Sequence, residues 1–305
     1  MLTDALAATG PSLDPLSDLS QLTAYPFMVN ALEAGTIVAV TAGVVGWFMV
    51  LRKQAFAGHT LSVMAFPGAT AALLVGLSAA AGYFVFSGAA ALIIAAAAAG
   101  RTPRGPGHES ALTGTVQAVG LACGFLFLSL YGGVLANYES LLFGSFLGIT
   151  HGQVLALALV AVVALGLLAV AGRPLLFASL DEHVASARGV PTRALGAGFL
   201  LLLGLAVAET AQITGALLVF ALLVAPPATA QLITPRIAPS LILSVVLGIL
   251  ITWVGLALAY FSDYPVGFYI TTVAFATYVI ARVARSLADR PTRLTARARA
   301  AEAEA

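Results

Sequence analysis

The sequence predicts an all-α membrane protein, a polytopic bundle of about nine transmembrane helices. Hydrophobic residues make up 60% of its 305 residues and charged residues only 9%, whereas a soluble domain is about 25% charged. The apolar stretches are also long enough to cross the hydrocarbon core of a bilayer, which takes about 20 residues of helix. A soluble fold of this length could not bury so much apolar surface.

The apolar stretches define the spans in order. We predict spans at Phe27–Leu51, Leu61–Ala81, Tyr83–Ala99, Ala111–Leu130, Gln153–Ala171, Leu195–Ala208, Gly215–Ile233, Leu241–Phe261 and Val266–Ala281. Proline cannot donate a backbone hydrogen bond, so we expect a kink at Pro67 and a kink or break at Pro226–Pro227. Gly82 and its neighbours are expected to separate the second span from the third. Leu141–Ile149 is too short to cross and is predicted to be re-entrant or interfacial.

The basic residues predict the sidedness of these spans. Lysine and arginine are retained on the cytoplasmic side of a membrane, and here they follow the first, third, fifth, seventh and ninth spans. This pattern places the N-terminus outside and the C-terminus inside. Eight spans are the alternative, if one of the shorter stretches does not cross. The basic residues are Arg52, Lys53, Arg101, Arg104, Arg173, Arg188, Arg193, Arg236, Arg282, Arg285, Arg290, Arg293, Arg297 and Arg299.

The charge distribution also divides the chain into three parts. Residues 1–26 contain no lysine or arginine and are predicted to be a non-cytoplasmic tail. Residues 27–285 form the membrane domain, with a polar cytoplasmic segment at 174–193. Residues 286–305 are predicted to be a disordered cytoplasmic tail.

Several kinds of chemistry are excluded by the residues themselves. A P-loop needs a lysine after a glycine-rich turn, and the only lysine, Lys53, follows Arg52 instead. There is no His-Glu-x-x-His zinc motif, and the single cysteine excludes a disulfide framework. We therefore expect a protein that is not an enzyme, binds no cofactor of its own and has no nucleic-acid partner.

Ionisable groups within the spans are the first candidates for function, because each costs about 2.5–3.5 kcal/mol to insert. Glu33 lies in the outer part of the first span, His59 opens the second, and Glu209 lies near the outer end of the sixth. Each also has a structural interpretation, as a hydrogen-bonded or interfacial side chain. Gln117 either joins two helices by a hydrogen bond or lines the same path. His59 lies near the inner end of its span, so these residues are not expected to form one compact metal cage.

The cytoplasmic segment 174–193 has the pattern of a short capped helix. Acidic residues are favourable in the first turn of a helix, and Asp181 and Glu182 stand where such a helix would begin. Glycine favours a helix end, and Arg188 and Gly189 stand where it would close, with Val184 within it. Both a docking element on the inner face and an ordinary capped loop fit this pattern.

Four segments together resemble the permeases of metal-ion ABC importers of the ABC-3 type, which take up zinc and manganese. The segments are Leu51–Gly68 (LRKQAFAGHTLSVMAFPG), Leu142–Gly148 (LFGSFLG), Leu175–Pro191 and Thr214–Ala230 (TGALLVFALLVAPPATA). The resemblance extends from about residue 27 to 281. It departs from the family at the start of the second span. Typical members read Gly-Asp-x-Leu-Ser-His there, and the positions of the two metal ligands hold His59 and Val63 in this chain.

The resemblance implies a multi-pass permease of the bacterial plasma membrane that works as a homodimer in contact with membrane lipid. A cytoplasmic ABC ATPase would bind ATP and dock on residues 174–193. An extracellular binding protein would deliver a divalent metal ion, zinc or manganese, as the transported substrate.

Three alternatives remain open from the sequence. The same machine could carry a metal chelate or other cargo. A secondary transporter driven by an ion gradient would use buried charge such as Glu33 and Glu209. A structural membrane-assembly protein explains least, because it gives no reason for the polar, kinked second span.

Overall fold

A computed structural model of the protein describes residues 24–98, 106–131, 144, 148–262 and 264–304. Within these ranges the chain is helical and contains no strand. The predicted N-terminal tail and the short piece Leu141–Ile149 lie largely outside them. The helices are α1 Pro26–Leu51, α2 Ala55–Val63, α3 Ala65–Leu74, α4 Ala79–Ala98, α5 Pro106–Tyr131, α6 His151–Leu180, α7 Glu182–Ala187, α8 Thr192–Ile233, α9 Ile237–Tyr260 and α10 Val266–Glu304.

The described helices support the prediction of a polytopic helical bundle. Seven helical segments in these ranges are long and apolar enough to cross a membrane. They are α1, α4, Ser110–Tyr131 of α5, α6, Thr192–Gln212 of α8, α9 and Val266–Ala288 of α10. Two further apolar segments are shorter, namely the pair α2–α3 and the second part of α8, Leu218–Ile233. The count of nine crossings and the sidedness stay predictions.

Helix α1 is held parallel to α6 and antiparallel to α9 by side-chain hydrogen bonds. Asn30 Nδ2 donates to the Ile149 carbonyl at 3.0 Å near the start of both α1 and α6. Arg52 Nη1 donates to Ser179 Oγ at 3.0 Å near the end of both helices.

The bonds to α9 run in the opposite order. Trp47 Nε1 donates to Ser240 Oγ at 2.9 Å, and Trp253 Nε1 donates to Thr36 Oγ1 at 2.9 Å. Trp47, late in α1, is thus paired with Ser240, early in α9. Thr36, early in α1, is paired with Trp253, late in α9. These polar links fix the register of helices whose apolar surfaces alone would allow sliding.

Helix α8 reverses direction at Gly215. The Phe199 ring packs on Phe48 with centroids 6.4 Å apart, and Gln231 Nε2 donates to the Trp47 carbonyl at 2.9 Å. In a straight helix these two α8 residues would lie about 48 Å apart at 1.5 Å per residue, yet both contact the same end of α1. Gly215 has φ 72° and ψ 163°, a conformation open to glycine because it has no Cβ. The first arm of α8, Thr192–Gln212, and the second arm, Leu218–Ile233, therefore lie side by side.

Of the kink or break predicted at Pro226–Pro227, the break is absent from the described helix, and the kink stays a prediction. Both prolines lie inside the second arm of α8, where the only non-helical backbone of the described helix is at Gly215. Pro227 cannot donate to the Leu223 carbonyl, and that carbonyl faces Gly46 of α1 so closely that a Cβ on Gly46 would overlap its oxygen. The arm stays helical although this donor is missing, and α1 packs against it at the same point.

Helices α2 and α3 form one interrupted helix at the centre of the bundle. The interruption lies at Met64, three residues before Pro67, and proline is tolerated in the first turn of the helix that follows. Every residue from Ala57 to Thr70 is buried except His59. The prediction that Gly82 ends the second span is wrong, because α3 ends at Leu74 and Gly82 lies within α4.

Gly82 has a packing role in place of the predicted turn. A Cβ on Gly82 would overlap the Gly68 carbonyl, and a Cβ on Gly68 would overlap the Gly82 carbonyl. The two backbones therefore touch directly, as small residues allow in membrane helix pairs. The turn between α3 and α4 lies at Gly76, whose φ is +76°.

Two helices continue beyond the predicted spans. Helix α6 passes Ala171, the predicted end of the fifth span, and includes Pro174 before ending at Leu180. Helix α10 continues to Glu304, where the sequence alone predicts a disordered tail over 286–305. Alanine and arginine, which are frequent there, have high helix propensity.

Replacing Gly82 by alanine should weaken the bundle. Because the new methyl group overlaps a backbone carbonyl rather than a flexible side chain, we expect the free energy of unfolding to fall by about 1–3 kcal/mol. Gly88 on the same helix is the matched control, since a Cβ there meets nothing within 4 Å. Thermal unfolding of the purified protein in detergent compares the two variants. Equal melting temperatures would contradict the close contact.

Candidate functional site

His59 is distinguished by partial exposure within an otherwise buried segment. It lies on α2, its ring packs against Phe220 of the second arm of α8 with centroids 4.7 Å apart, and it is the one residue of 57–70 that is not buried. Its Nδ1 atom is enclosed and has no hydrogen-bond partner among the described residues. A neutral imidazole offers a ring nitrogen as a metal ligand. His59 therefore combines partial exposure with a position at the centre of the fold, while its Nδ1 atom itself is enclosed.

The same face of α2 offers no second ligand one turn further on. Residues four apart lie on one face of a helix, and this position holds Val63, which is 6% exposed. Thr60 and Ser62 are fully buried, and the Ser62 hydroxyl donates to the His59 carbonyl at 2.7 Å. One chain thus contributes a single imidazole here, which makes a weak site for a metal ion.

Gln117 joins α5 to α2. Thr60 Oγ1 donates to Gln117 Oε1 at 3.1 Å, so the glutamine oxygen is used in a helix-to-helix hydrogen bond. Because Thr60 is the neighbour of His59, this bond also holds the His59 turn in place. The sequence leaves open whether Gln117 joins two helices or lines the path. The hydrogen bond with Thr60 supports the first interpretation.

Glu209 is enclosed in the first arm of α8. It is 0% exposed, and neither carboxyl oxygen has a hydrogen-bond partner among the described residues. The nearby hydroxyl of Thr210 is engaged with the Ala206 carbonyl, and that of Thr214 donates to the Thr210 carbonyl at 2.9 Å. Burying a charged group without such partners is costly. Glu209 is therefore shut off from any open path in this conformation.

Glu33 lies apart from the other candidates, exposed on α1. Among the residues that the structure describes, no three of the His, Cys, Asp and Glu side chains come close enough to hold a metal ion together. The expectation that Glu33, His59 and Glu209 form no single cage agrees with this. They are separate positions rather than one site.

The short helix expected in the cytoplasmic segment is present as α7. Asp181 Oδ1 accepts a hydrogen bond from the Val184 backbone N–H at 2.9 Å, and Glu182 stands in the first turn. Arg188 is the C-cap, and Gly189 follows with φ +80°. Ala185 is buried against the fold, whereas the other residues of α7 are exposed. Helix α7 therefore offers a small surface of mixed polarity.

Sequence reasoning missed the contacts of Phe220, Thr60 and Arg52. Phe220 has no local signal, because its contact with His59 joins distant parts of the chain. Thr60 stands within the polar stretch at the start of α2, which could have marked it. Arg52 was used only as a sidedness marker, although a basic residue at a helix end is also placed to bond neighbouring elements.

Comparisons with known proteins match the resemblance drawn from the motifs. The ABC 3 transport family matches residues 24–285. The manganese transport system membrane protein MntC of Halalkalibacterium halodurans is 27% identical over 261 residues, which cover 86% of this chain and 88% of that protein. The chelated iron transport system membrane protein YfeC of Yersinia pestis is 29% identical over 249 residues, with 82% and 83% covered.

The fold is similar to that of a chain in a solved structure. A chain of PsaBC from Streptococcus pneumoniae in complex with Fab superimposes with a TM-score of 0.77 at 26% identity, covering 87% of this chain and 94% of that chain. The helical bundle and the match over residues 24–285 lead to one conclusion: this multi-pass membrane protein belongs to the ABC 3 transport family.

Proposed function

We propose that this chain is the permease subunit of an ATP-driven importer that carries a divalent transition metal, as the ion or as a chelate, across the bacterial plasma membrane. The observation that carries the proposal is His59, a partly exposed imidazole in the otherwise buried interrupted helix of an ABC 3 family fold. The chain itself performs no chemistry in this scheme. A cytoplasmic ATPase hydrolyses ATP, and an extracellular binding protein delivers the cargo.

The donor atoms favour a transition metal over a hard cation. Imidazole nitrogen suits zinc and iron, whereas calcium, magnesium and manganese suit carboxylate and carbonyl oxygen. The imidazole therefore favours zinc or iron, and manganese is supported by the names of the relatives instead. The relatives are named for manganese and for chelated iron, and zinc remains within the same chemistry. A homodimer would bring two copies of His59 to one path. Two imidazoles bind weakly enough for release, which a transporter requires.

Alternating access would use the two interrupted elements of the fold. Helix α8 reverses at Gly215, and the α2–α3 helix is interrupted at Met64. Movement of either would change the exposure of His59, whose ring rests on Phe220 of α8. Glu209 would join the path in a conformation that opens the first arm of α8, and the exposed Glu33 would lie nearer its outer entrance.

A secondary transporter is the second candidate, and the enclosed Glu209 is the observation that favours it. Gradient-driven carriers use buried ionisable residues as proton or ion relays. Uptake into proteoliposomes separates the two functions. The proposed importer moves radiolabelled manganese, zinc or iron only with ATP and its ATPase, whereas a secondary transporter moves them with an imposed ion gradient alone.

Replacing His59 by alanine should reduce metal uptake about tenfold or more, which is the effect of removing a ligand worth at least 1.4 kcal/mol. The amount of protein in the membrane should not change, because the side chain makes no hydrogen bond to another helix among the described residues. His151, exposed at the start of α6, is the matched control for loss of an imidazole. Normal uptake by His59→Ala would remove His59 from the path.

Glu209→Gln should lower ATP-driven uptake several-fold while the protein keeps its thermal stability. Glutamine has nearly the same volume, so the packing of α8 is preserved, but it cannot carry a negative charge toward a cation. Glu209→Ala also leaves a cavity, so its free energy of unfolding should fall by about 2 kcal/mol and its melting temperature should be lower. Unaltered uptake by Glu209→Gln would leave Glu209 a structural residue only.

Disrupting α7 should separate the permease from its ATPase. Val184→Pro removes a backbone donor from the Asp181 cap, and Arg188→Glu reverses the charge at the end of the helix. We expect the doubly substituted protein to lose co-purification of the ATPase and ATP-dependent uptake together. Arg173→Glu, at an exposed position of α6, tests whether any reversed charge on this side has the same effect. Retention of the ATPase by the α7 variant would rule out docking there.

A further inference from the structure

Arg52 lies between α1 and α2, and the groups that contact its guanidinium include Ser179, Gln54 and Phe199. Nη1 donates to Ser179 Oγ at 3.0 Å, and Nε donates to Gln54 Oε1 at 3.2 Å. The guanidinium carbon lies 5.4 Å from the centroid of the Phe199 ring, in a cation–π contact. The Ser179 hydroxyl donates to the Leu175 carbonyl at 2.6 Å. Its oxygen is thereby oriented to accept from Arg52.

Each of these contacts joins Arg52 to a different segment of the fold. Ser179 stands in the last turn of α6, immediately before the Asp181 cap of α7. Gln54 is the residue that precedes α2, the helix that carries His59. Phe199 lies on the first arm of α8, the arm that carries Glu209. A single side chain therefore connects the docking segment to both helices that hold the candidate path residues.

The surroundings of Arg52 leave space for movement. A polar cavity of about 210 Å³ lies between the end of α1, the start of α7 and the start of α8, and Arg52, Gln54, Glu182 and Arg193 are among its lining residues. Helix α7 itself packs on the end of α6 and the start of α8. A displacement of α7 toward this cavity would bring it closer to Arg52 and Gln54, two of the lining residues.

We propose that Arg52 is the positioning residue that transmits movement of the α7 docking helix to α2 and α8. This inference rests on the proposed function, because it supposes that an ATPase acts on α7. Arginine suits the role because its planar guanidinium directs several donors at fixed angles and stacks on an aromatic ring at the same time. Lysine has one compact charge on a flexible stem and cannot make the three contacts together.

Uptake and ATP hydrolysis, measured side by side in proteoliposomes, test the proposal with radiolabelled manganese as the probe. Arg52→Lys and Arg52→Gln should still bind the ATPase and hydrolyse ATP within about twofold of wild type. The metal moved per ATP should fall about tenfold, the size expected for losing a hydrogen bond from a charged group. Ser179→Ala should give a smaller fall, and its effect should vanish in the Arg52→Gln background because the two residues share one bond.

The exposed neighbour Lys53 provides the control, and Lys53→Gln should leave the metal moved per ATP unchanged. A merely structural role for Arg52 would lower hydrolysis and uptake in parallel. That result, or an unchanged ratio in Arg52→Lys and Arg52→Gln, would overturn the proposal.

Hydrogen exchange separates this inference from the proposed function. In the wild type and in Lys53→Gln, binding of the ATPase should alter exchange at the start of α2, whereas in Arg52→Gln it should alter α7 alone. This readout does not require metal transport. If α2 responds equally in all three proteins, Arg52 transmits nothing, even if uptake is ATP-driven. If the wild type binds the ATPase and moves no metal, the cargo proposal fails while the exchange result still decides the role of Arg52.

Discussion

The close contact of α2–α3 with the helices around it is the constraint on which the rest of the bundle depends. Apolar side chains gain little by leaving lipid for protein, so membrane helices associate through van der Waals packing at small residues. Gly68 and Gly82 allow backbone contact between α3 and α4, and Gly120 and Gly124 of α5 lie against Met64 and Phe66. This packing places the interrupted helix at the centre, and His59 is held there with it.

Around that centre, polar bonds determine register and interruptions determine where movement can occur. The bonds of Trp47 and Trp253 align α1 with α9, and Arg52 bonds the end of α1 to the end of α6. The positive φ of Gly215 lets α8 return along α1. The side chains that join α1 to α6 and α9 thus lie at defined points along these helices.

Local sequence rules predicted the elements whose causes are local. The cap of Asp181 and the end at Gly189 depend on residues within one or two turns, and both are present as predicted. The rules failed where a glycine or a proline has two possible roles. The sequence pattern predicts a turn at Gly82, which is a packing surface, and the chain reverses at Gly215 rather than at Pro226–Pro227. Which role the residue takes depends on the helix that packs against it. The position of that helix cannot be predicted from the residues within one turn of the glycine or proline.

By itself, the sequence determined the all-α membrane class, the capped helix α7 and the motifs of the ABC 3 family, because composition, apolar length and short-range capping suffice for these. Only the tertiary structure decided how exposed each candidate residue is and what it contacts. Glu209 is buried and Glu33 is exposed. Gln117 accepts a hydrogen bond from Thr60, and the partly exposed His59 packs against Phe220. These differences arise from contacts between distant parts of the chain, whose energies depend on how the helices pack.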